Sequence, residues 1–362
     1  MIDSSHMPAA RRLVCRALGM AALALGTTSV IQAQAQAPRP APEIGKAPES
    51  SQQHALWRPA LQLDNDAYNF WVHPAHRPDE EYSNGVRATL LSWSAPWWGK
   101  RFASNTPDCT TQRTKGYCRL TAVTLGQDIY TPQLDRSPFT VPNWENERPY
   151  FGWLYLEGKG MLASERLLRT TTATIGVSGP PSLAHAMQSL FHAINRKYTR
   201  AANGWETQVA FEPGIILAHR VDALALRLGS PRSGILDLTT GAGAALGTVR
   251  TAGDVGGTLR FGANLSHPWQ PRAWESRTTW DVYAIVAGRA EYVARDMSLD
   301  GTLLNRERHV DRVPGVREYQ FGFGFRLHQL QLEYRAITRT QEYETGPGHH
   351  TYSTMFASLA PR

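Results

Sequence analysis

Long apolar runs are scarce in this sequence. Hydrophobic residues make up 42% of the 362 positions. After the N-terminal segment, however, no apolar stretch approaches the roughly 20 residues that a membrane-spanning helix needs. Charged residues are also few, at 19% against about 25% in an average domain. If the mature chain meets a membrane, it therefore does so as a β-barrel or at the interface.

Cysteine is equally rare, with three residues in the chain. Cys15 precedes the N-terminal apolar run and is therefore a poor lipoprotein acceptor. Cys109 and Cys118 have no spacing typical of a metal site. In an exported protein, the pair predicts a structural disulfide that closes a small loop.

The excess of positive charge is modest. The formal net charge of +7 includes several basic residues of the N-terminal segment. The remaining arginines are scattered over predicted strands and form no basic patch of the kind that binds nucleic acid. No nucleic-acid partner is expected.

The N-terminal segment is organised like a secretory signal. A basic region at residues 7–16 precedes a small-residue apolar run at 17–31, and Ala33-Gln-Ala35 fits cleavage after Ala35. We predict a signal peptide over residues 1–35, of which 1–6 are either an upstream extension or a cloning remnant. Residues 36–55, rich in Pro, Ala, Ser and Gln, predict a flexible linker. Residues 56–362 remain as the folded domain of an exported protein.

From residue 57 onward, apolar and polar residues alternate in segments of about ten. The clearest segment places Tyr319, Phe321 and Phe323 on one face and Glu318 and Gln320 on the other. A soluble sandwich gives the same alternation. The export signal, the Trp and Tyr near segment ends, and the persistence of the pattern to the C-terminus favour an outer-membrane barrel.

The alternation predicts twelve strands, an even number as such barrels require. They lie near residues 57–65, 82–94, 119–128, 149–158, 166–177, 205–219, 233–246, 255–264, 279–294, 314–327, 330–342 and 350–359. The fold class is therefore all-β, a transmembrane antiparallel barrel of about twelve strands.

One segment, residues 180–194, has helical spacing instead. We predict a short helix in an extracellular loop over one mouth of the barrel, with Ser182 as its N-cap. Gln188 and His192 share a face, since they are four residues apart. The predicted packed stripe is distinct from that face and comprises Leu183, Met187, Leu190, Phe191 and Ile194.

Acids and amides crowd the connection between the first two strands. Such a cluster binds a hard cation through oxygen ligands or performs proton chemistry. A solvated loop with Asx turns at Asn65 and Asn84-Gly85 is the simpler alternative. The cluster comprises Asp64, Asn65, Asp66, Asp79, Glu80, Glu81 and Asn84.

A series of short motifs occurs in the order seen in the outer-membrane lipid A 3′-O-deacylases, which the chain resembles from about residue 56 onward. The motifs are Asn65-Asp66, Tyr82-Ser-Asn-Gly85, Gly126-Gln-Asp-Ile-Tyr-Thr-Pro132, Glu147-Arg-Pro-Tyr-Phe-Gly-Trp153, Gln188-Ser-Leu-Phe-His192, Gly204-Trp-Glu-Thr-Gln208 and Leu299-Asp-Gly301. The resemblance implies a twelve-stranded outer-membrane barrel that removes the 3′-linked acyloxyacyl group of lipid A and requires calcium.

The resemblance also implies roles for individual residues. His192 resembles the general base that activates water, and Asp66 resembles the calcium ligand. Asn65 and Ser83 resemble active-site polar groups near the oxyanion. Relatives often carry Thr at the position of Ser83, and Thr keeps the hydroxyl.

Basic residues of the outer loops, together with Gln188, are candidates for binding the substrate. Guanidinium and ammonium groups hold phosphates well, although loop solubility explains surface Arg and Lys equally well. The basic candidates are Arg136, Arg148 and Lys197, beside Arg196 and Arg200.

Three functions remain open from the sequence. The first is calcium-dependent hydrolysis of lipid A in lipopolysaccharide, by a monomer among outer-membrane lipids. The second is an outer-membrane phospholipase in which Ser83 is a nucleophile paired with His192. The third is a small pore or structural barrel, which a lumen filled by Arg and Glu side chains disfavours.

Overall fold

The fold is a closed β-barrel of twelve antiparallel strands. The computed structural model describes residues 57–69, 81–93, 95–109, 116–132, 144–194, 204–230, 233–269, 279–305 and 308–359. Each strand pairs with the next along the chain, and β1 pairs with β12 to close the barrel. The predicted fold class is confirmed. The predicted signal peptide and linker, and the loop residues Asp79, Glu80, Arg136, Arg196, Lys197 and Arg200, lie outside the described residues.

The strands agree closely with the alternation in the sequence. They are β1 (Trp57–Asn65), β2 (Glu81–Ser92), β3 (Cys118–Thr131), β4 (Phe151–Ala163), β5 (Leu167–Ser178), β6 (Pro213–Ser230), β7 (Ser233–Gly247), β8 (Arg250–Leu265), β9 (Trp280–Asp296), β10 (Gly315–Leu327), β11 (Leu330–Thr340) and β12 (His349–Leu359). The described helices are α1 (Trp97–Phe102), α2 (Ala184–Ile194) and α3 (Met297–Asp300). None of them is long and apolar enough to cross a membrane.

The largest difference from the predicted boundaries is at β6, which runs from Pro213 to Ser230 and not over residues 205–219. Trp205–Thr207 form a 3-10 turn, and the Trp205 side chain is buried. Burial of the indole beside α2 outweighs the alternating pattern there, because Trp205 packs with Ile129, Tyr150 and Ala184.

The two ends of the barrel differ. The start of β1 and the end of β12 lie at one end, which we call the lower end. Because neighbouring strands are antiparallel, the connections that follow odd-numbered strands all lie at the opposite, upper end. These include the segments that hold Asp66, Arg148 and α2.

The two faces of the strands carry different side chains. On β10, Phe321 and Phe323 point outward and are 54% and 60% exposed, whereas Glu318 points into the lumen and is buried. Ion pairs between side chains of the strands line the lumen at several heights between the upper and the lower end. They include Arg87 with Asp64 and Asp128, Arg220 with Asp222 and Asp254, Arg250 with Glu291 and Asp296, and Arg260 with Asp237.

An apolar cluster closes the lower end. Trp93, Leu120 and the bonded pair Cys109–Cys118 are buried together, and Trp269 packs against them from the connection between β8 and β9. The predicted disulfide is confirmed. This cluster and the ion pairs above it occupy the lumen in the part of the barrel that the structure describes.

Candidate active site

The site begins at an irregularity in β2. Tyr82 pairs with Tyr130 and Asn84 pairs with Ile129, so Ser83 is the extra residue of a β-bulge. A bulge re-aims side chains and is frequent next to active sites. Ser83 Oγ lies 2.5 Å from Thr131 Oγ1. Thr131 shares the outer face of β3 with the exposed Leu125, so the Ser83 hydroxyl is directed to the outer face of the barrel.

Glu81, two residues before the bulge, holds a strained backbone conformation. Its φ is 68°, in the left-handed region that is unfavourable for residues with a Cβ. Its carboxylate lies 3.3 Å from Arg148 Nε and accepts a hydrogen bond of 2.8 Å from the Tyr343 hydroxyl. Buried contacts from two other upper loops therefore hold the start of β2 in place.

Arg148 and Glu342 are buried together above the lumen, with Arg148 Nη2 3.1 Å from a Glu342 carboxylate oxygen. Burial acts to lower the pKa of Arg148, but Glu342 and Glu81 outweigh burial and raise it. Burial acts to raise the pKa of Glu342, but Arg339 and Arg148 lower it to about 2. Both groups are therefore charged at neutral pH.

The predicted contact between Arg148 and a substrate phosphate is corrected by this geometry. The side chain is fully buried, and its guanidinium lies 4.6 Å from the centre of the Tyr130 ring, between two carboxylates. A phosphate would have to displace these partners. Arg148 instead joins three upper loops to one another.

Asn65 and Asp66 lie beside the bulge. β1 ends at Asn65, which pairs in register with Asn84. Asn65 Nδ2 donates a hydrogen bond of 2.8 Å to the backbone oxygen of Ser83. Asp66 opens the following 3-10 turn and is 1% exposed. The structure therefore brings together three of the residues that the sequence singles out.

Asn69 fastens the turn after β1 to the wall, a role that the sequence reasoning missed. Its Nδ2 donates to the backbone oxygens of Asp66 and Thr351, each at 2.9 Å. Its Oδ1 accepts from Ser353 Oγ on β12 at 2.6 Å. The only sequence signal was an amide side chain three residues after Asp66, which is a common feature of turns.

The polar atoms of the site are of the type that a hard cation prefers. The Asp66 carboxylate, the amide oxygens of Asn65 and Asn84, and the Ser83 hydroxyl are all oxygen donors, as calcium requires. Asn84 is 4% exposed, and its Oδ1 has no hydrogen-bond donor within the described part of the chain. A buried amide oxygen without a partner is costly, so a bound cation would satisfy it.

The described residues include one carboxylate at this position, that of Asp66. They contain no group of three or more His, Cys, Asp or Glu side chains arranged to hold a metal. The donor set therefore fits calcium in chemical type, with Asp66 as its carboxylate.

Helix α2 lies against the outer wall of the barrel. Gly152, on the outer face of β4, sits directly beneath it, since a Cβ there would collide with Ser182 Oγ and Ala184 Cβ. Gln127, on the outer face of β3, donates a hydrogen bond of 2.5 Å to the backbone oxygen of Ser182. The predicted position over the mouth of the barrel is therefore wrong, because the outer faces of β3 and β4 hold the helix.

The helix also buries a different face from the predicted one. Leu183 and Leu190 are 60% and 54% exposed, whereas Ala184 and Gln188 are buried. Gln188 Oε1 accepts a hydrogen bond of 2.7 Å from Trp205 Nε1. Gln188 is therefore corrected from a substrate-binding residue to one that holds Trp205 beneath the helix.

Ser182 does not cap α2 as predicted. It belongs to a 3-10 turn, Pro180–Ser182, and its hydroxyl donates to the backbone oxygen of Gly179 at 2.6 Å. Leu183, with φ of 59°, links this turn to the helix. The turn is fixed to the wall and sets where the helix begins.

His192 lies on the last turn of α2 and is half-buried. It follows the wall-facing Gln188 by four residues, so the two side chains share one face of the helix. Ile129, which packs beneath the helix, pairs in register with Asn84. The helix and the polar residues of β1 and β2 therefore occupy adjoining strips of the same outer wall, and the candidate site is the boundary between them.

A network of hydrogen bonds and ion pairs lies on the lumen side of the strands that carry the candidate site. The Tyr82 hydroxyl lies 2.9 Å from a carboxylate oxygen of Asp64 and 2.9 Å from one of Asp128. Arg87 forms ion pairs with both carboxylates and donates to the Tyr155 hydroxyl at 2.9 Å. These contacts join β1 to β4 at the height of the bulge.

Comparisons with known proteins bear on the family and on the fold. A family model described as "Outer membrane protein LpxR" matches residues 20–360. The solved structure of LpxR from Salmonella typhimurium is 17% identical, with a TM-score of 0.66, and the match covers 84% of this chain and 100% of that chain. The β domain of the Bordetella autotransporter BrkA is 10% identical over 85% of this chain and 99% of that chain, with a TM-score of 0.39. The comparison with curated proteins gives no match.

Proposed function

The chain belongs to the outer membrane protein LpxR family, a family of outer-membrane lipid A deacylases, and from that premise we propose that it hydrolyses the 3′-acyloxyacyl ester of lipid A with the help of calcium. The observation that supports the proposal is the placement of the candidate site on the outer wall. Asn65, Asp66, Ser83 and Asn84 meet there beside the helix that holds His192. An outer-leaflet lipid reaches this wall without entering the lumen.

His192 is the proposed general base. Ester hydrolysis by water needs a group that removes a proton as the oxygen attacks, and imidazole does this near neutral pH. His192 is half-buried on α2, on the helix face that also carries the wall-facing Gln188. In this proposal the imidazole takes the proton of water and later returns it to the leaving alcohol.

Ser83 and Asn65 are the proposed donors to the developing oxyanion. Thr131 Oγ1 can donate to Ser83 Oγ, which leaves the Ser83 proton available to the substrate. Asn65 Nδ2 donates a hydrogen bond of 2.8 Å to the backbone oxygen of Ser83, which keeps this amide beside the bulge. The bulge holds both groups on the outer face.

Asp66 and Asn84 are the proposed calcium ligands. Asp66 supplies a buried carboxylate on a turn that Asn69 fixes to β12, and Asn84 supplies a buried amide oxygen. Calcium held there would polarise the ester carbonyl. Arg136 and Lys197 remain the proposed partners of the lipid A phosphates.

A phospholipase with Ser83 as nucleophile has weaker support. Within the described contacts, Ser83 Oγ is paired with the hydroxyl of Thr131 and with no base. A pore also has weak support, because the Trp93 and Trp269 cluster closes the lower end.

Substitutions at Ser83 separate the two enzymatic mechanisms. With purified barrel and lipid A, Ser83→Ala should lower hydrolysis by about 10²–10³-fold if the hydroxyl only donates to the oxyanion. Ser83→Thr should retain most of the activity, because the hydroxyl is kept. An acyl group trapped on Ser83, seen by mass spectrometry of the protein, would contradict the water mechanism.

Calcium is tested separately from turnover. Asp66→Asn should weaken calcium binding in a direct titration, and excess calcium should recover part of the activity because the lost interaction is one of binding. Asp108→Asn, at the lower end, is the matched control and should leave calcium affinity unchanged. Full activity of the wild-type protein in saturating chelator would contradict the calcium requirement.

A further inference from the structure

Helix α1 lies against the outer wall at the lower end. Thr121 is on the outer face of β3 and is fully buried beneath Gly99, where a Cβ would collide with the Thr121 methyl group. Thr121 has the same orientation as Leu125, which is 56% exposed on that face. The helix is therefore mounted on the outside of the barrel and not across its lumen.

The free side of α1 combines an aromatic ring with two cations. Trp97 is 73% exposed, and Lys100 and Arg101 are exposed as well. The Arg101 guanidinium lies 5.9 Å from the centre of the Trp97 ring. Neither cation forms an ion pair with a carboxylate of the described residues.

The carboxylate of Asp108, which follows α1 in the same connection, is already paired with Arg119. Asp108 lies 2.6 Å from Arg119 Nη2 and also accepts from Arg119 Nε at 2.9 Å. Arg119 in addition donates to the backbone oxygen of Ala103, just after α1, at 2.5 Å. This arrangement fixes the end of the helix and leaves the charges of Lys100 and Arg101 uncompensated.

The basic surface continues around the barrel. Arg169, exposed on the outer face of β5, lies with its guanidinium 5.2 Å from the centre of the Tyr117 ring. Tyr117 directly precedes β3, on which α1 rests. We call Trp97, Lys100, Arg101, Tyr117 and Arg169 the basic collar.

The basic collar lies at the height of an aromatic belt. Trp57 and Trp280 mark the lower ends of β1 and β9, and Trp280 is 45% exposed. Trp and Tyr concentrate where a barrel crosses the membrane–water interface. The lower end holds the first residue of β1, the last residue of β12 and three of the four shortest strand connections, β4–β5, β6–β7 and β10–β11, as the periplasmic end of such barrels does.

We propose that the basic collar binds anionic phospholipid headgroups of the periplasmic leaflet. Lys100, Arg101 and Arg169 offer three uncompensated cations to a phosphate, while Trp97 and Tyr117 lie at the glycerol level. Zwitterionic headgroups lack the net charge that these cations attract. This binding goes beyond the proposed hydrolysis and involves none of its residues.

Fluorescence quenching tests the proposal on the full-length barrel in phosphatidylcholine bilayers. The quenching by brominated phosphatidylglycerol is compared with the quenching by brominated phosphatidylcholine. The contribution of Trp97 is the difference in quenching between the wild-type protein and the Trp97→Phe variant. The wild-type protein should show a selective association with phosphatidylglycerol that weakens at high salt. Each cation replaced by Gln should reduce that selectivity by about fivefold.

Two variants control for fold and for charge in general. Lys100→Arg combined with Arg101→Lys should keep the selectivity, because the charges remain. Arg317→Gln, exposed on the outer face of β10 near the upper end, should also keep it. Equal quenching of wild-type Trp97 by the two lipids, or unchanged selectivity in the variant lacking all three cations, would overturn the proposal.

Discussion

Ser83 reaches the outer face because a single extra residue interrupts the pairing of β2 with β3. The sequence marks Ser83, Asn65 and Asp66 through their motif context, and the structure brings them together. It does not reveal the bulge, because the bulge depends on partners far along the chain. Tyr343, which holds Glu81 in its strained conformation, is 262 residues away.

His192 is the residue on which the proposed chemistry depends most. His192→Asn should abolish hydrolysis and leave folding and calcium binding intact, because water loses its proton acceptor in the transition state. His185→Asn, at an exposed position on the same helix, is the matched control and should stay active. Hydrolysis rates, heat-modifiable gel mobility and calcium titration give the three readouts. Comparable loss in both variants would indicate a structural effect on α2.

Glu342 links stability to pH above the lumen. Its pKa falls from the ordinary 4.5 to about 2, because Arg339 and Arg148 outweigh burial. The ionised carboxylate therefore stabilises the fold fully above pH 4.5, and this contribution disappears as the pH falls from about 4.5 to 2. Glu342→Gln should destabilise the barrel by about 3–5 kcal/mol at pH 7, since it leaves buried cations without their partner.

Urea midpoints at pH 7 and pH 3 check this linkage. The difference in urea midpoint between the wild-type protein and Glu342→Gln should be smaller at pH 3 than at pH 7. At pH 3 the stabilisation that the ionised Glu342 carboxylate provides is already reduced. A constant difference between the two pH values would show that Glu342 does not provide the pH-dependent contribution.

At the scale of elements, α2 shows a limit of hydrophobic patterning. The pattern correctly predicts a helix, but it does not say whether an apolar face meets protein or lipid. On the outer wall of a membrane barrel, Leu183 and Leu190 are exposed while the polar Gln188 is buried against Trp205. The motif containing Trp205 was visible in the sequence, but its packing partner was not.

The position of α2 on the wall is testable through Gly152. A side chain there would collide with Ser182 and Ala184, so Gly152→Val should move the helix from the wall and reduce hydrolysis by at least about tenfold. Gly158→Val is the matched control on the same face of β4, where a Cβ would meet only a backbone oxygen 4.0 Å away. Activity normalised to folded barrel is the measurement. Equal activity of the two variants would show that the contact between α2 and Gly152 is not needed for hydrolysis.

At the scale of the whole molecule, the period-two alternation was sufficient to predict twelve strands and a closed barrel. It succeeded because each strand separates an apolar outer face from a charged lumen, as β10 does with Phe323 and Gln320. The individual ion pairs were not predictable. They depend on strand register, which brings together residues such as Arg58 and Gln331 from opposite parts of the chain.

The two faces of β10 provide a direct stability comparison. Phe323→Arg places a charge on the outer face and should cost about 2–4 kcal/mol if the position lies near the membrane midplane. Gln320→Arg should cost less, because Gln320 faces the polar lumen, where it contacts Glu318 and Arg335. Urea unfolding in lipid vesicles measures both. Equal shifts of the two midpoints would contradict the assignment of faces.

Mass spectrometry of lipid A measures directly whether the protein removes the 3′-acyloxyacyl group and whether His192 is required. Wild-type protein and the His192→Asn variant are produced at equal levels in the outer membrane of a strain without this activity. We expect the 3′-acyloxyacyl group to disappear from lipid A in cells with the wild-type protein and to stay in cells with His192→Asn. Unchanged lipid A in the presence of folded wild-type barrel, or the same loss with both proteins, would contradict it.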